Sequence, residues 1–180
     1  MKEWHLKRMV LTALMAAMTM VATMSIKIPS PTGGYIHPGD SIVILSGIVL
    51  GPVYGSLAAG IGSMFADIFS GYAGFAIATL LIKGLAALLS SFVYYQICKK
   101  STKSVVRTIS VIIGGLFASI VVTGGYFLFE AYFLGLGVLP AAAGIGYNLI
   151  QNGFGIAISV FLLPILLRVP IVKEFMVRIV

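Results

Sequence analysis

The chain has 180 residues, of which 59% are hydrophobic and 9% charged, with a formal net charge of +7. Its mean hydropathy is +1.09. Soluble globular domains carry about 25% charged residues, so this composition excludes them and indicates an integral membrane protein. A pI near 9.7 is shared with nucleic-acid binders, but the basic residues here flank apolar runs. Lys2, Lys7 and Arg8 form one cluster, Lys99, Lys100, Lys103 and Arg107 a second, and Arg168, Lys173 and Arg178 a third. Because basic residues concentrate on the cytoplasmic side of a bilayer, all three clusters and both termini are expected there, and no nucleic-acid partner is expected. Cys98, the single cysteine, allows neither an internal disulfide nor a multi-cysteine metal site.

About 20 residues of helix cross a hydrocarbon core, and that length divides the chain as follows. A first helix is predicted over 6–27, running outward. Its charged start resembles a signal peptide, but the apolar run from Met9 to Ile26 is long enough for a full span and is expected to stay uncleaved. Residues 28–39, with three prolines and three glycines and no positive charge, read as an extracellular loop. Residues 40–71 hold too many apolar positions for one helix. Gly51-Pro52-Val53-Tyr54-Gly55 is predicted to break them into helices over 40–51 and 54–70, joined by an uncharged cytoplasmic hairpin. Helices over 74–98, 105–128 and 145–168 follow, with a second extracellular loop near 134–144. The expected fold is a compact all-α bundle of six transmembrane helices, with both termini cytoplasmic and residues 1–180 as one substrate-binding domain.

Small residues mark close helix contacts. Ala58, Gly62 and Ala66, and Gly114 with Ala118, suit packing inside the bundle. Ala13 and Ala17 share a face of the first helix among bulky and Met-rich neighbours, which suits a partner protein as well as internal packing.

Polar side chains inside an apolar bundle carry the functional signal. Lys83 and Asp67 are placed to approach each other, either as a structural pair or as a charged pocket floor. Asn148, Gln151, Asn152 and Gly155 follow helical spacing on one face. Their carboxamides suit either hydrogen bonds between helices or a neutral heterocycle. Tyr72, Phe75, Tyr126, Phe129, Glu130 and Tyr132 are predicted at the same outer level, where an aromatic belt also accounts for most of them. Asp40 is read as the N-cap of the second helix, with His37 nearby in the loop. The polar residues thus collect at the outer end with no polar path across, as in an outward-open binding protein rather than a channel.

No GxxxxGK[ST] and no HExxH occur, and His5 and His37 are the two histidines. Neither ATP hydrolysis by a P-loop, nor a histidine metal site, nor enzymatic chemistry is expected, and no cofactor.

Ala13-x-x-x-Ala17, the outer loop ending in Gly39-Asp40, Gly51-Pro52-x-x-Gly55, Asp67 and Lys83-Gly84 together resemble the substrate-binding S component of energy-coupling factor (ECF) vitamin transporters. The resemblance spans most of residues 9–90. It implies a subunit of a bacterial plasma membrane that binds one water-soluble vitamin and docks on a transmembrane coupling protein with two ATP-binding subunits. It further implies that Ala13 and Ala17 form the docking face. The pocket would draw on Lys83, Asp67, His37, Tyr72, Tyr126, Glu130, Asn148, Gln151 and Asn152. These suit a hydroxymethylpyrimidine or pyridoxine-like ligand, with pantothenate and riboflavin as alternatives. A non-transport interaction protein and a stand-alone permease are the readings of another class.

Overall fold

The computed structural model describes residues 2–99 and 101–179. Lys100 of the second basic cluster lies outside the described residues, as do the side chains of Lys2 and Arg178. The chain is mostly helical. Helix α1 (Lys2–Ser25) is followed by a small antiparallel hairpin, β1 (Ile28–Pro29) and β2 (Tyr35–Ile36), paired Ile28 to Ile36 and Pro29 to Tyr35. Then come α2 (Asp40–Phe69), a single 3-10 turn (Ala73–Phe75), α3 (Ala76–Cys98) and α4 (Ser104–Leu128). A π-helical turn (Phe129–Phe133) extends α4, and α5 (Val138–Leu166) and α6 (Pro170–Ile179) complete the chain.

Five of these helical stretches are long and apolar enough to cross a membrane. Their outward faces carry Leu81, Phe92, Ile120, Phe154 and Phe161, all largely exposed. So much continuous apolar surface suits lipid rather than water.

Helix α2 is broken where the sequence places the break. Gly51 has φ +81° and ψ 178°, a conformation that L side chains rarely adopt, and Pro52 follows without a backbone donor. The chain reverses there. A methyl group on Gly55 would collide with the backbone at Ser46 and Gly47, residues that a straight helix would hold about 12 Å away. The contacts of each arm with α3 agree. Arm 40–50 runs parallel to α3, Asp40 meeting Lys83 and Ile48 meeting Tyr95. Arm 52–69 runs antiparallel, Ser56 lying near Gly84 and Gly60 near Leu80.

The differences from the expected boundaries are instructive. The two short helices expected over 40–51 and 54–70 are the two arms of the broken α2, which counts as one of the five long apolar stretches, and a further short helix, α6, follows the last of them. α6 was not foreseen: it buries Val172, Phe175 and Met176 against the bundle, with Trp4 and Phe175 4.3 Å apart. α5 begins at Val138 rather than 145. Pro140 falls in its first turn, where the missing N–H would have had no helical partner.

The core runs along α2, the most buried helix, whose residues 40–51 are all buried. α1 lies against it through Leu11, Met15, Thr19 and Thr23, four residues apart in sequence and all buried. Ala58, Gly62 and Ala66 are buried in the same contact zone, Gly62 directly facing the backbone of Ala16. Gly114 packs on Ser90 and Ala118 is buried beside it in α4. Internal packing accounts for both of these small-residue rows.

Candidate ligand-binding site

The polar residues separate into a buried network and a cavity beside it. Lys83 is fully buried and its Nζ donates to Asp40 Oδ1 at 2.5 Å. Gln151 Nε2 donates to Asp40 Oδ2 at 2.8 Å, and Gln151 Oε1 accepts from the backbone N–H of His37 at 2.9 Å. One carboxylate therefore joins α2, α3 and α5, and the carboxamide extends the link to the outer loop. Asp40 occupies the first turn of α2, yet its side chain makes no capping bond there. The ammonium on α3 is the stronger partner, since a buried charge needs a counter-charge more than a helix end needs a cap.

This corrects two sequence expectations. Lys83 pairs with Asp40 rather than Asp67, and Asp40 is an ion-pair member rather than an N-cap. Sequence proximity suggested the Lys83–Asp67 pair because both flank the turn between the second arm of α2 and α3. The parallel arm 40–50 instead carries Asp40 to the same depth as Lys83.

The cavity lies at the hairpin end, between β1–β2, the π turn and the adjoining helix ends, with about 430 Å³ of free space counted out to its mouth. It is narrow. Tyr35, Tyr72, Phe75 and Tyr126 supply rings, with Tyr35 and Tyr72 4.4 Å apart and Phe75 6.5 Å from Tyr126. The centre of the Tyr126 ring also lies 5.2 Å from the Lys83 ammonium, and its hydroxyl shares a 2.9 Å hydrogen bond with Thr79. The Tyr35 hydroxyl donates to Asp67 Oδ1 at 2.8 Å, and the Thr32 hydroxyl to Glu130 Oε1 at 2.8 Å. Burial first, and the Asp67 carboxylate second, hold the Tyr35 phenol well above the usual tyrosine range, so it stays a donor. Burial, followed by the Lys83 charge, pushes the His37 imidazole down to about 3. Its Nδ1 is accordingly an acceptor, taking the N–H of Gly39 at 3.1 Å.

Of the residues singled out from the sequence, His37, Asp67, Tyr72, Tyr126, Glu130, Asn148 and Gln151 line this cavity. Lys83 and Asn152 do not. Lys83 lies below it in the buried pair, and Asn152 turns toward α4, donating to Thr123 at 3.2 Å. Tyr35, Thr32 and Thr79 were not foreseen. Their signal was absent because a lone tyrosine or threonine in a loop or helix has no spacing partner until the chain folds. The π turn was equally silent, although it is what buries Glu130 facing the loop.

Ala13 and Ala17 occupy a different surface. Both are exposed on α1, along a groove shared with Met9, Leu57, Ile61 and Phe65. This groove is open to the surroundings and has almost no polar lining. Helix α1 thus buries one face inside the bundle and presents its small-residue face outward.

Comparisons with known proteins agree with this architecture. A curated protein of Pyrococcus woesei, described as uncharacterized, is 40% identical over 70 residues, 38% of this chain; the chain spans about half (47%) of that relative's length. A solved structure described as the S component of a bacterial ECF transporter has a TM-score of 0.68, covering 91% of this chain and 97% of its own at 20% identity, which establishes a shared fold. The model of the family "ECF-type riboflavin transporter, S component" matches residues 3–168. The chain belongs to the family of S components of ECF-type riboflavin transporters.

Proposed function

We propose that this chain captures riboflavin from outside the cell and delivers it to an ECF coupling protein driven by two ATP-binding subunits. The observation that carries the reading is the cavity at the hairpin end, ringed by Tyr35, Tyr72, Phe75 and Tyr126 and edged by Gln151 and Asn148. Ring faces suit a flat fused heteroaromatic, and carboxamides suit the alternating donors and acceptors of its imide edge. Riboflavin takes precedence over the hydroxymethylpyrimidine or pyridoxine-like ligand expected from the sequence because the family model is that of riboflavin transporters. Pantothenate loses its support, since the lysine that would meet its carboxylate is engaged by Asp40.

In this reading the two arms of α2 both enter the bilayer, giving six passes with both termini on the cytoplasmic side of the plasma membrane. The first arm, about 16 Å long at 1.5 Å per residue, does not reach across the hydrocarbon. The cavity above it therefore lies below the membrane surface. Because the cavity is narrow, hairpin β1–β2 moves outward to admit a flavin. Ala13 and Ala17 form the surface on which the coupling protein docks, their small side chains permitting close helix approach.

The test is the thermal stability of the detergent-purified chain, stripped of endogenous ligand, with about 10 μM riboflavin, pyridoxine, hydroxymethylpyrimidine or pantothenate. A nanomolar ligand stabilises by about 4 kcal/mol at 1,000 times its Kd. A shift with riboflavin alone is the expected outcome. A shift with another compound reassigns the substrate, and no shift with any compound favours the interaction-protein reading.

A further inference from the structure

The end of the bundle away from the hairpin carries two adjoining clefts. One opens between the start of α4 and the end of α5, the other between the end of α3, the start of α4 and α6. Arg107 lines both, with Arg168 in the first and Lys173 in the second. Among the described residues, none of these three forms an ion pair. Glu3 and Glu174, the acidic residues at this end, line neither cleft. Arg107 is half-buried, and its planar fork of donors matches a phosphate or carboxylate. The first cleft changes character with depth. On α4 its lining runs from Ser104 through Arg107 to Val111, and on α5 from Arg168 through Pro164 to Val160. Each wall thus passes from polar to hydrocarbon over about 10–12 Å at 1.5 Å per residue. Ser104 opens one membrane-length helix and Leu166 closes another, so this gradient lies where a bilayer passes from headgroups to acyl chains. Ile109, Phe161 and Ile165 on the same two helices are exposed, as lipid-facing residues are.

We propose that the α4–α5 cleft holds one anionic phospholipid, its phosphate on Arg107 and Arg168 and an acyl chain along Val111, Pro164 and Val160. Basic pockets between membrane helices suit such headgroups. A free phosphate would meet the arginines but leave the apolar depth of the cleft unfilled, so a phosphate that carries acyl chains is the better match. Lys173, in the adjoining cleft, adds attraction without sharing the apolar wall. The site lies at the opposite end of the bundle from the ring-lined cavity and does not depend on which vitamin that cavity takes.

The probes are phosphatidylglycerol and phosphatidylcholine with identical acyl chains. Each is titrated into the delipidated, detergent-purified full chain and read as a one-to-one adduct by native mass spectrometry. Phosphatidylglycerol should bind about tenfold more tightly. One basic residue beside an anionic lipid is worth about fivefold in affinity, so Arg107→Gln with Arg168→Gln should weaken phosphatidylglycerol about 25-fold. Lys7→Gln with Lys27→Gln removes the same charge outside the cleft and should leave affinity within about twofold. Excess inorganic phosphate should not displace the lipid. Equal affinity of the wild type for both lipids overturns the proposal. Equal loss in the two double variants overturns it too, since attraction is then general to the charge of the chain. Displacement by inorganic phosphate assigns the arginines to a free anion and overturns the lipid. If thermal stability shows that the arginine double variant does not fold, Arg168→Gln alone, exposed at a helix end, should cost about fivefold, and unchanged affinity overturns the site.

Discussion

The hairpin end and the outer face of α1 are built on opposite rules. At the hairpin end, buried polar groups meet across three helices beside a cavity lined with rings and polar side chains. On α1, small apolar residues that could have been buried are exposed along a groove. Buried polarity is costly unless partnered, and exposed smallness gains nothing within the bundle, so in the proposed reading a contact from outside the chain completes each. One is suited to a small polar ligand and the other to a protein helix. In the proposed reading the two tasks of an S component occupy separate surfaces, and variants can separate them.

The largest effect on the hairpin end should come from Lys83→Ala, which leaves the Asp40 carboxylate buried with Gln151 as its remaining side-chain partner. A loss of about 3–5 kcal/mol of stability is expected, read by thermal denaturation. Loss of riboflavin affinity at unchanged stability would instead place Lys83 in the ligand site. On the other surface, Ala17→Trp should abolish uptake in cells that carry the coupling module while leaving flavin affinity of the purified chain within about twofold, because the indole blocks close helix approach. Loss of uptake and affinity together would join the two surfaces into one.

Gln151→Ala removes a cavity edge and one bond to Asp40, and should weaken riboflavin about 10- to 100-fold, measured by titration. Asn152→Ala, on the same helix face but turned toward Thr123, should cost about 1 kcal/mol of stability and leave affinity nearly unchanged. A reversal of these two outcomes would move the ligand toward α4. The smallest expected effect is on pH dependence. The His37 pKa is lowered in the folded chain, so below about 6.5 the unfolded chain binds a proton that the folded chain excludes. Stability contributed at this position is present above pH 6.5 and falls as pH drops toward the folded value; His37→Gln should flatten that slope in pH-dependent thermal scans.

Much of this was legible in the sequence, for identifiable reasons. Apolar runs and basic flanks set the helices, and Gly51-Pro52 announced the break because both residues act locally on the backbone. The row Asn148, Gln151, Asn152 was readable as one face because helical spacing is local too. That Gln151 and Asn152 then diverge, one to Asp40 and the other to Thr123, depends on which neighbour each meets. The Asp40–Lys83 pair spans 43 residues and follows from arm 40–50 running parallel to α3. No local pattern encodes that. α6 escaped notice because its apolar stripe of Val172, Phe175 and Met176 sits among charges that also fit a solvated tail.

The most direct measurement is the titration of riboflavin with the purified chain alone, without coupling protein or ATPases, followed by flavin fluorescence. Saturable one-to-one quenching at nanomolar concentration, abolished or strongly weakened by Gln151→Ala and retained by Ala17→Trp, is the expected result. Absence of saturable quenching in the wild-type chain, or equal loss in both variants, would contradict a self-contained binding cavity separate from the docking face.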